Sequence, residues 1–230
     1  MRPAHLLNLP GLVPYADALD LQRALAEAVR AGERPDTVLL LEHEPVVTLG
    51  RRTQEAELHV PAGVDVDVVE TDRGGKSTYH GPGQLVCYPI VDLNRHGRDL
   101  HRYVRDLEEA IIRALARFDV AGERIDGLTG VWCAAPPRKI ASIGVHASRW
   151  VTTHGYALNV DLDPSPFTDW ITACGLEDAS FTTMAAELGR PVTVGEVRGP
   201  AAEAVADVFS LAFEELDAAT VDPARAMAAR

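Results

Sequence analysis

Apolar residues recur along this chain at two spacings. Over residues 14–31, Leu21, Leu25, Ala28 and Val29 return every three or four positions, which places them on one helical face, and Gly32 is a natural stop. Residues 99–118 carry the clearest stripe, Leu100, Tyr103, Val104, Leu107, Ile111, Leu115 and Phe118, with Asp99 as its N-cap. Residues 200–216 predict a third helix, with Val205, Val208, Phe209, Ala212 and Phe213 inside and Pro200 near the first turn. The other apolar runs are short and read as strands: 5–9, 37–42, 45–49, 64–70, 85–93, 130–133, 139–147, 150–160 and 191–194. His43-Glu44-Pro45 is a turn between two of them, and the runs ending at 147 and starting at 150 predict a hairpin turning near Ser148-Arg149. Residues 164–183 read as irregular. The mixture has no strict βαβ rhythm and predicts an α+β fold, one domain over residues 1–217 and a flexible tail over 218–230.

Charge and cysteine usage narrow the class. A formal net charge of −12 argues against general nucleic-acid binding. The longest apolar runs, such as residues 37–41, are far too short to span a bilayer, and the N-terminus has no long apolar segment of a secretion signal. Three widely spaced cysteines, Cys87, Cys133 and Cys174, fit neither a disulfide framework nor a zinc site. The expectation is a cytoplasmic protein with reduced thiols, off the membrane.

The densest run of unusual backbone is residues 73–84. Gly74, Gly75, Gly81, Gly83 and Pro82 are interleaved there with Arg73, Lys76, Ser77, Thr78, Tyr79 and His80. Glycine lets a backbone approach a ligand closely, so the loop could lay donors along a substrate; as composition alone it is equally a hairpin connection. Cys174 reads either as a nucleophilic thiolate or as a small buried apolar residue. Lys139 opens an apolar strand and is either a partly desolvated proton carrier or a strand-end lysine reaching for water. His80 is either a carbonyl-positioning group or a structural histidine. His43, His146 and His154 match no common zinc spacing, and no metal or cofactor is expected.

Arg73-Gly74-Gly75, Thr78-Tyr79-His80, Gly83-Gln84 and Tyr88 stand at the spacing of a motif that resembles the signature of the lipoyl(octanoyl) transferases. Lys139-Ile140-Ala141-Ser142-Ile143-Gly144 resembles the family's lysine segment. Ala173-Cys174-Gly175 resembles its cysteine segment, with alanine where the family carries proline. The resemblance spans roughly residues 35–185. It implies the fold shared with biotin and lipoate protein ligases: a larger mixed sheet, a smaller sheet and packed helices. It also implies transfer of an octanoyl group from acyl carrier protein to a lysine of lipoyl domains, those of 2-oxoacid dehydrogenases and the glycine cleavage H protein. In that scheme Cys174 carries the acyl group as a thioester and Lys139 moves its proton, without a cofactor. The resemblance implies that residues 73–80, Ser142-Ile143-Gly144 and Gly155-Tyr156-Ala157 hold the substrate, and a monomer is expected. Both partners are typically acidic, so docking needs a basic rim, for which Arg51, Arg52, Arg73, Lys76, Arg138, Lys139 and Arg149 are the candidates. The rival readings are an ATP-dependent ligase, a non-catalytic acyl-binding module and a cysteine hydrolase.

Overall fold

The computed structural model describes residues 1–134, 136–172 and 180–217; Cys174 and the 218–230 tail lie outside the described residues. The chain opens with β1 (Arg2–Val13), α1 (Tyr15–Ala31) and β2 (Asp36–His43). β2 is a near-continuous apolar run because both of its faces are covered. Val38 and Leu40 enter one core cluster and Leu39 and Leu41 the other, as the two-residue strand period requires. After β3 (Val46–Leu49), β4 (Asp67–Glu70) and β5 (Thr78–His80), β6 (Gln84–Ile90) repeats the pattern. Its Leu85 and Cys87 face one cluster and Val86, Tyr88 and Ile90 the other.

Helix α1 covers the second cluster with Leu21, Leu25 and Val29, and ends at Gly32 in the left-handed region, as its sequence predicts. Helix α2 (Leu100–Ala116) covers the first, and the Asp99 side chain accepts the Arg102 N–H at 3.0 Å as its cap. Next come β7 (Glu123–Ile125), β8 (Leu128–Cys133), β9 (Arg138–Ser148) and β10 (Val151–Asn159). The β9–β10 hairpin turns at Arg149-Trp150, both at positive φ. The chain continues through α3 (Pro166–Asp169), β11 (Ser180–Phe181), α4 (Met184–Leu188), α5 (Val194–Phe209) and β12 (Leu211–Leu216).

Among the described residues the larger sheet has the order β12-β1-β2-β6-β10-β9-β8-β7, with β11 beside β9; the smaller has the order β4-β3-β5. The larger sheet is mixed: β1 runs parallel to β2 and β12, and β2, β6, β10, β9 and β8 pair antiparallel in succession. This is the expected α+β arrangement. No helix among the described residues is long and apolar enough to cross a membrane.

Several elements differ from the sequence reading: residues 164–183, read as irregular, hold the short α3 and β11, and α4 follows them unmarked. Residues 191–194 are not a strand and the last helix is not 200–216. A capping box, Thr193 with Glu196, starts α5 early, and Pro200 lies inside it rather than at its first turn. Ser210, at φ 55°, stops the helix, and residues 211–216 form the edge strand β12. The apolar spacing of Ala212 and Phe213 satisfied a helical period but is used on a pleat. The strands β5, β7 and β11 are too short to leave a periodic signal.

Candidate active site

The glycine-rich segment between β4 and β5 is held by a buried arginine. The Arg73 guanidinium donates to the Thr48 carbonyl (2.7 Å) and hydroxyl (2.8 Å) on β3, to the Lys76 carbonyl (2.7 Å) and to the Gly74 carbonyl (3.2 Å). Backbone bonds finish the docking. Arg51 N donates to Arg73 O (3.1 Å), Arg52 N to Gly75 O (3.0 Å) and Gly74 N to Val145 O (2.9 Å). Gly74's N–H is thus committed to the β9 strand. Lys76 pairs with Glu57, whose own carbonyl accepts the Thr172 N–H at 2.9 Å.

This loop forms one side of a cavity of about 580 Å³ whose other walls come from α2, β8, β9 and β10. The volume falls within the range of about 300–1,000 Å³ usual for small-molecule sites. Of the residues singled out by sequence, Arg73, Gly74, Gly75, Lys76, Ser77, Thr78 and His80 line it, with Lys139, Ser142, Ile143, Gly144, Gly155, Tyr156 and Ala157. Tyr79 is not on its wall: the ring turns the other way, edge-on to Phe167 (6.0 Å) and Trp170 (5.4 Å) in a separate cluster. Strand alternation explains this, because Tyr79 lies between two cavity-facing residues of β5. Leu100, Val104, Leu128 and Trp132 add apolar surface that the motifs did not mark. Of the candidate docking cations, Arg52, Arg73, Lys76 and Lys139 border the cavity, whereas Arg138 pairs with Glu187 at 2.9 Å.

Lys139 is 4% exposed. Its Nζ lies 5.2 Å from the Trp132 ring centroid and its carbonyl accepts the Thr182 N–H at 3.0 Å. A strand-end lysine extended into water is thereby ruled out. Gly155 explains one small residue of the motif. A Cβ there would stand 2.1 Å from the Cys87 carbonyl oxygen on β6, so close strand packing requires glycine.

Three buried histidines cluster here, His80 and His154 on the cavity wall and His43 with its ring 5.5 Å from that of His80, each with a definable tautomer. His43 donates Nδ1–H to the Val13 carbonyl (2.8 Å) and accepts the Tyr88 hydroxyl at Nε2 (2.7 Å). Gln84 gives its amide N–H groups to Tyr79 O and Asn159 Oδ1, so its Oε1 accepts from His80 Nδ1 (2.7 Å) and His80 Nε2 is left as an acceptor. His154 donates Nε2–H to Asp72 (2.8 Å) and faces the Tyr15 hydroxyl at 3.4 Å. That hydrogen bond holds Asp72 down to about 2. His154 also stands at φ 59°, a conformation that costs of order 1–3 kcal/mol and clusters at functional sites. No periodicity reveals such a residue within a strand. These bonds fill the rings of His43 and His154, and no metal-holding group of three His, Cys, Asp or Glu occurs among the described residues.

Burial lowers the pKa of all three histidines, that of His43 to about 4. An unfolded His43 takes up a proton near pH 6.5 and the folded one does not until about pH 4, so stability is lost as pH falls across that window. His43 alone is expected to account for about 3 kcal/mol. Urea unfolding at pH 7 and pH 4.5 should show a smaller acid loss in His43→Gln than in the wild type; equal losses would contradict the assignment.

The described cysteines are poor nucleophiles: burial pushes the Cys87 thiol to about 12 and the Cys133 thiol to about 11. Residues 14–206 match the family described as the lipoyl protein ligase A/B catalytic domain. Octanoyltransferases from several bacteria match at 47–51% identity; that of Mycobacterium leprae is 51% identical over 203 residues, 86% of this chain and 85% of its own. The bipartite lipoate protein ligase of Thermoplasma acidophilum, solved in a study with its E2 lipoyl domain, superposes with a TM-score of 0.81 at 16% identity, covering 99% and 92% of the two chains. The biotin protein ligase of Aquifex aeolicus shares the fold at a TM-score of 0.53 and 14% identity, covering 91% and 70%. The chain therefore belongs to the octanoyltransferases, acyltransferases built on the lipoyl protein ligase A/B catalytic domain.

Proposed function

We propose that this enzyme moves an octanoyl group from octanoyl-acyl carrier protein to the target lysine of lipoyl domains through a thioester on Cys174. The observation that carries the reading is the meeting, in one cavity, of a buried lysine, a tightly docked glycine loop and apolar walls suited to an acyl chain. Cys174 is the remaining cysteine of the chain. The other two thiols are too weakly acidic to supply a thiolate.

In the first half-reaction Lys139 takes the Cys174 proton. The thiolate attacks the thioester carbonyl carbon, the new C–S bond forms, and the carrier's thiol leaves with a proton. One thioester replaces another of similar energy, so the acyl group stays activated. In the second, the acceptor amine attacks, the C–N bond forms, the C–S bond to Cys174 breaks, and Lys139 accepts the amine proton. Each tetrahedral oxyanion needs aimed N–H donors, worth about 3–4 kcal/mol apiece. Gly74 is not one of them, since its N–H is given to Val145. His80, neutral through burial, offers Nε2 as an acceptor at the cavity wall.

The test is transfer without nucleotide. Octanoyl-acyl carrier protein and a lipoyl domain, mixed with the enzyme in the absence of ATP, should give an octanoyl amide on the domain's lysine. Modification that requires ATP and free octanoate would assign the protein to the ligases instead. Acyl binding without transfer would make it a binding module.

A further inference from the structure

We propose that Glu108 is a positioning residue for Lys139, acting through the backbone of Gly130; this rests on reading Lys139 as the proton carrier. Glu108 lies on the core-facing side of α2, beside Leu107 and Ile111, with no exposed surface. A buried carboxylate is strongly disfavoured unless it is fully bonded, and packing alone would be served by leucine. Here the bonds are made. One oxygen accepts the Gly130 N–H at 3.1 Å; the other accepts Arg105 Nη1 at 2.7 Å and Arg124 Nε at 3.2 Å.

Gly130 is where this matters for the site. Val131 pairs with Ala141 and Trp132 with Lys139, so Ile140 is the extra residue of a bulge beside Lys139. Bulges interrupt the ladder and re-aim side chains. At this interruption a helix carboxylate takes the Gly130 N–H. Gly130 itself has φ 120°, which side-chain-bearing residues rarely adopt. A Cβ on it would lie 2.6 Å from the Ala141 carbonyl oxygen, 2.7 Å from Lys139 Cε and 3.3 Å from Lys139 Nζ. The bare Gly130 backbone is thus one wall of the lysine's slot, opposite no bulk of its own, and Trp132 is another. Glu108, Trp132 and Lys139 all border the cavity. Whatever fixes Gly130 fixes the end of Lys139.

Two variants separate this role from packing. Glu108→Leu fills the volume but cannot accept the Gly130 N–H; Glu108→Gln keeps an acceptor oxygen in place. In ATP-free octanoyl transfer, Glu108→Leu is expected to lower kcat at least about tenfold while leaving the KM for the donor within about twofold, and Glu108→Gln to recover most of the loss. The second readout does not depend on activity. Lys76 and Lys139 are the two lysines of the chain, so protein labelled with lysine carrying ¹³C at Cε gives two lysine lines, assigned with Lys76→Arg. The Lys139 line should move in Glu108→Leu and return in Glu108→Gln, with the Lys76 line fixed in both. An unmoved Lys139 line in Glu108→Leu, or a Gln variant no better than the Leu variant, overturns the proposal. If Glu108→Leu does not fold, a Lys139 line displaced in the folded Glu108→Gln protein overturns it equally. If Lys139→Met keeps full turnover while Glu108→Leu still moves the line, the proton-carrier reading fails and the contact alone stands.

Discussion

Lys139→Met is expected to lower octanoyl transfer by about 10²–10⁴-fold, the range that a positioned acid–base group contributes. The physical reason is local. Lys139 is 4% exposed and walled by Gly130 and Trp132, which holds its Nζ in a fixed place at the cavity wall. Methionine keeps the length and apolar stem, and circular dichroism should show a folded protein. The loss should fall on kcat, since the acyl chain meets other walls of the cavity. Steady-state transfer with purified donor and acceptor checks this; turnover within tenfold of the wild type would remove Lys139 from the mechanism.

The largest stability effect is expected at Gly155. A Cβ there would overlap the Cys87 carbonyl oxygen, at 2.1 Å, and press on Pro89 Cδ at 2.7 Å. The obstacle is the backbone of β6, paired with β10 at the centre of the larger sheet, and it cannot rotate aside. Gly155→Val should therefore cost at least about 3 kcal/mol and lower Tm by roughly 6–12 °C. Thermal unfolding followed by near- and far-ultraviolet dichroism measures it. A Tm unchanged to within about 2 °C would show that the strands part more easily than their register implies.

Particular residues show how far the sequence could be read. The helical stripes of α1 and α2 were legible because each buries one face against a sheet. β2 and β6 were legible as continuous apolar runs because two layers cover them. The glycine loop and the lysine strand carry local motifs, and their residues meet in one cavity. Tyr79 sat inside the motif yet faces elsewhere, a matter of strand parity that a motif does not record. Residues 211–216 were misread because a short edge strand and a last helical turn share the same few apolar residues. Glu108 leaves no signal, and His154 stands out only as a histidine at no zinc spacing. Their importance comes from partners 82 and 22 residues away, Asp72 and Gly130, which only the folded chain brings together.

The measurement that tests the account most directly is intact mass after mixing the enzyme with octanoyl-acyl carrier protein, for the wild type and for Cys174→Ala. The account predicts a single octanoyl adduct on the wild type, labile to hydroxylamine as a thioester is, discharged by a lipoyl domain, and absent from Cys174→Ala. An adduct that persists in Cys174→Ala, or a wild type that transfers octanoyl groups without ever carrying one, would contradict it.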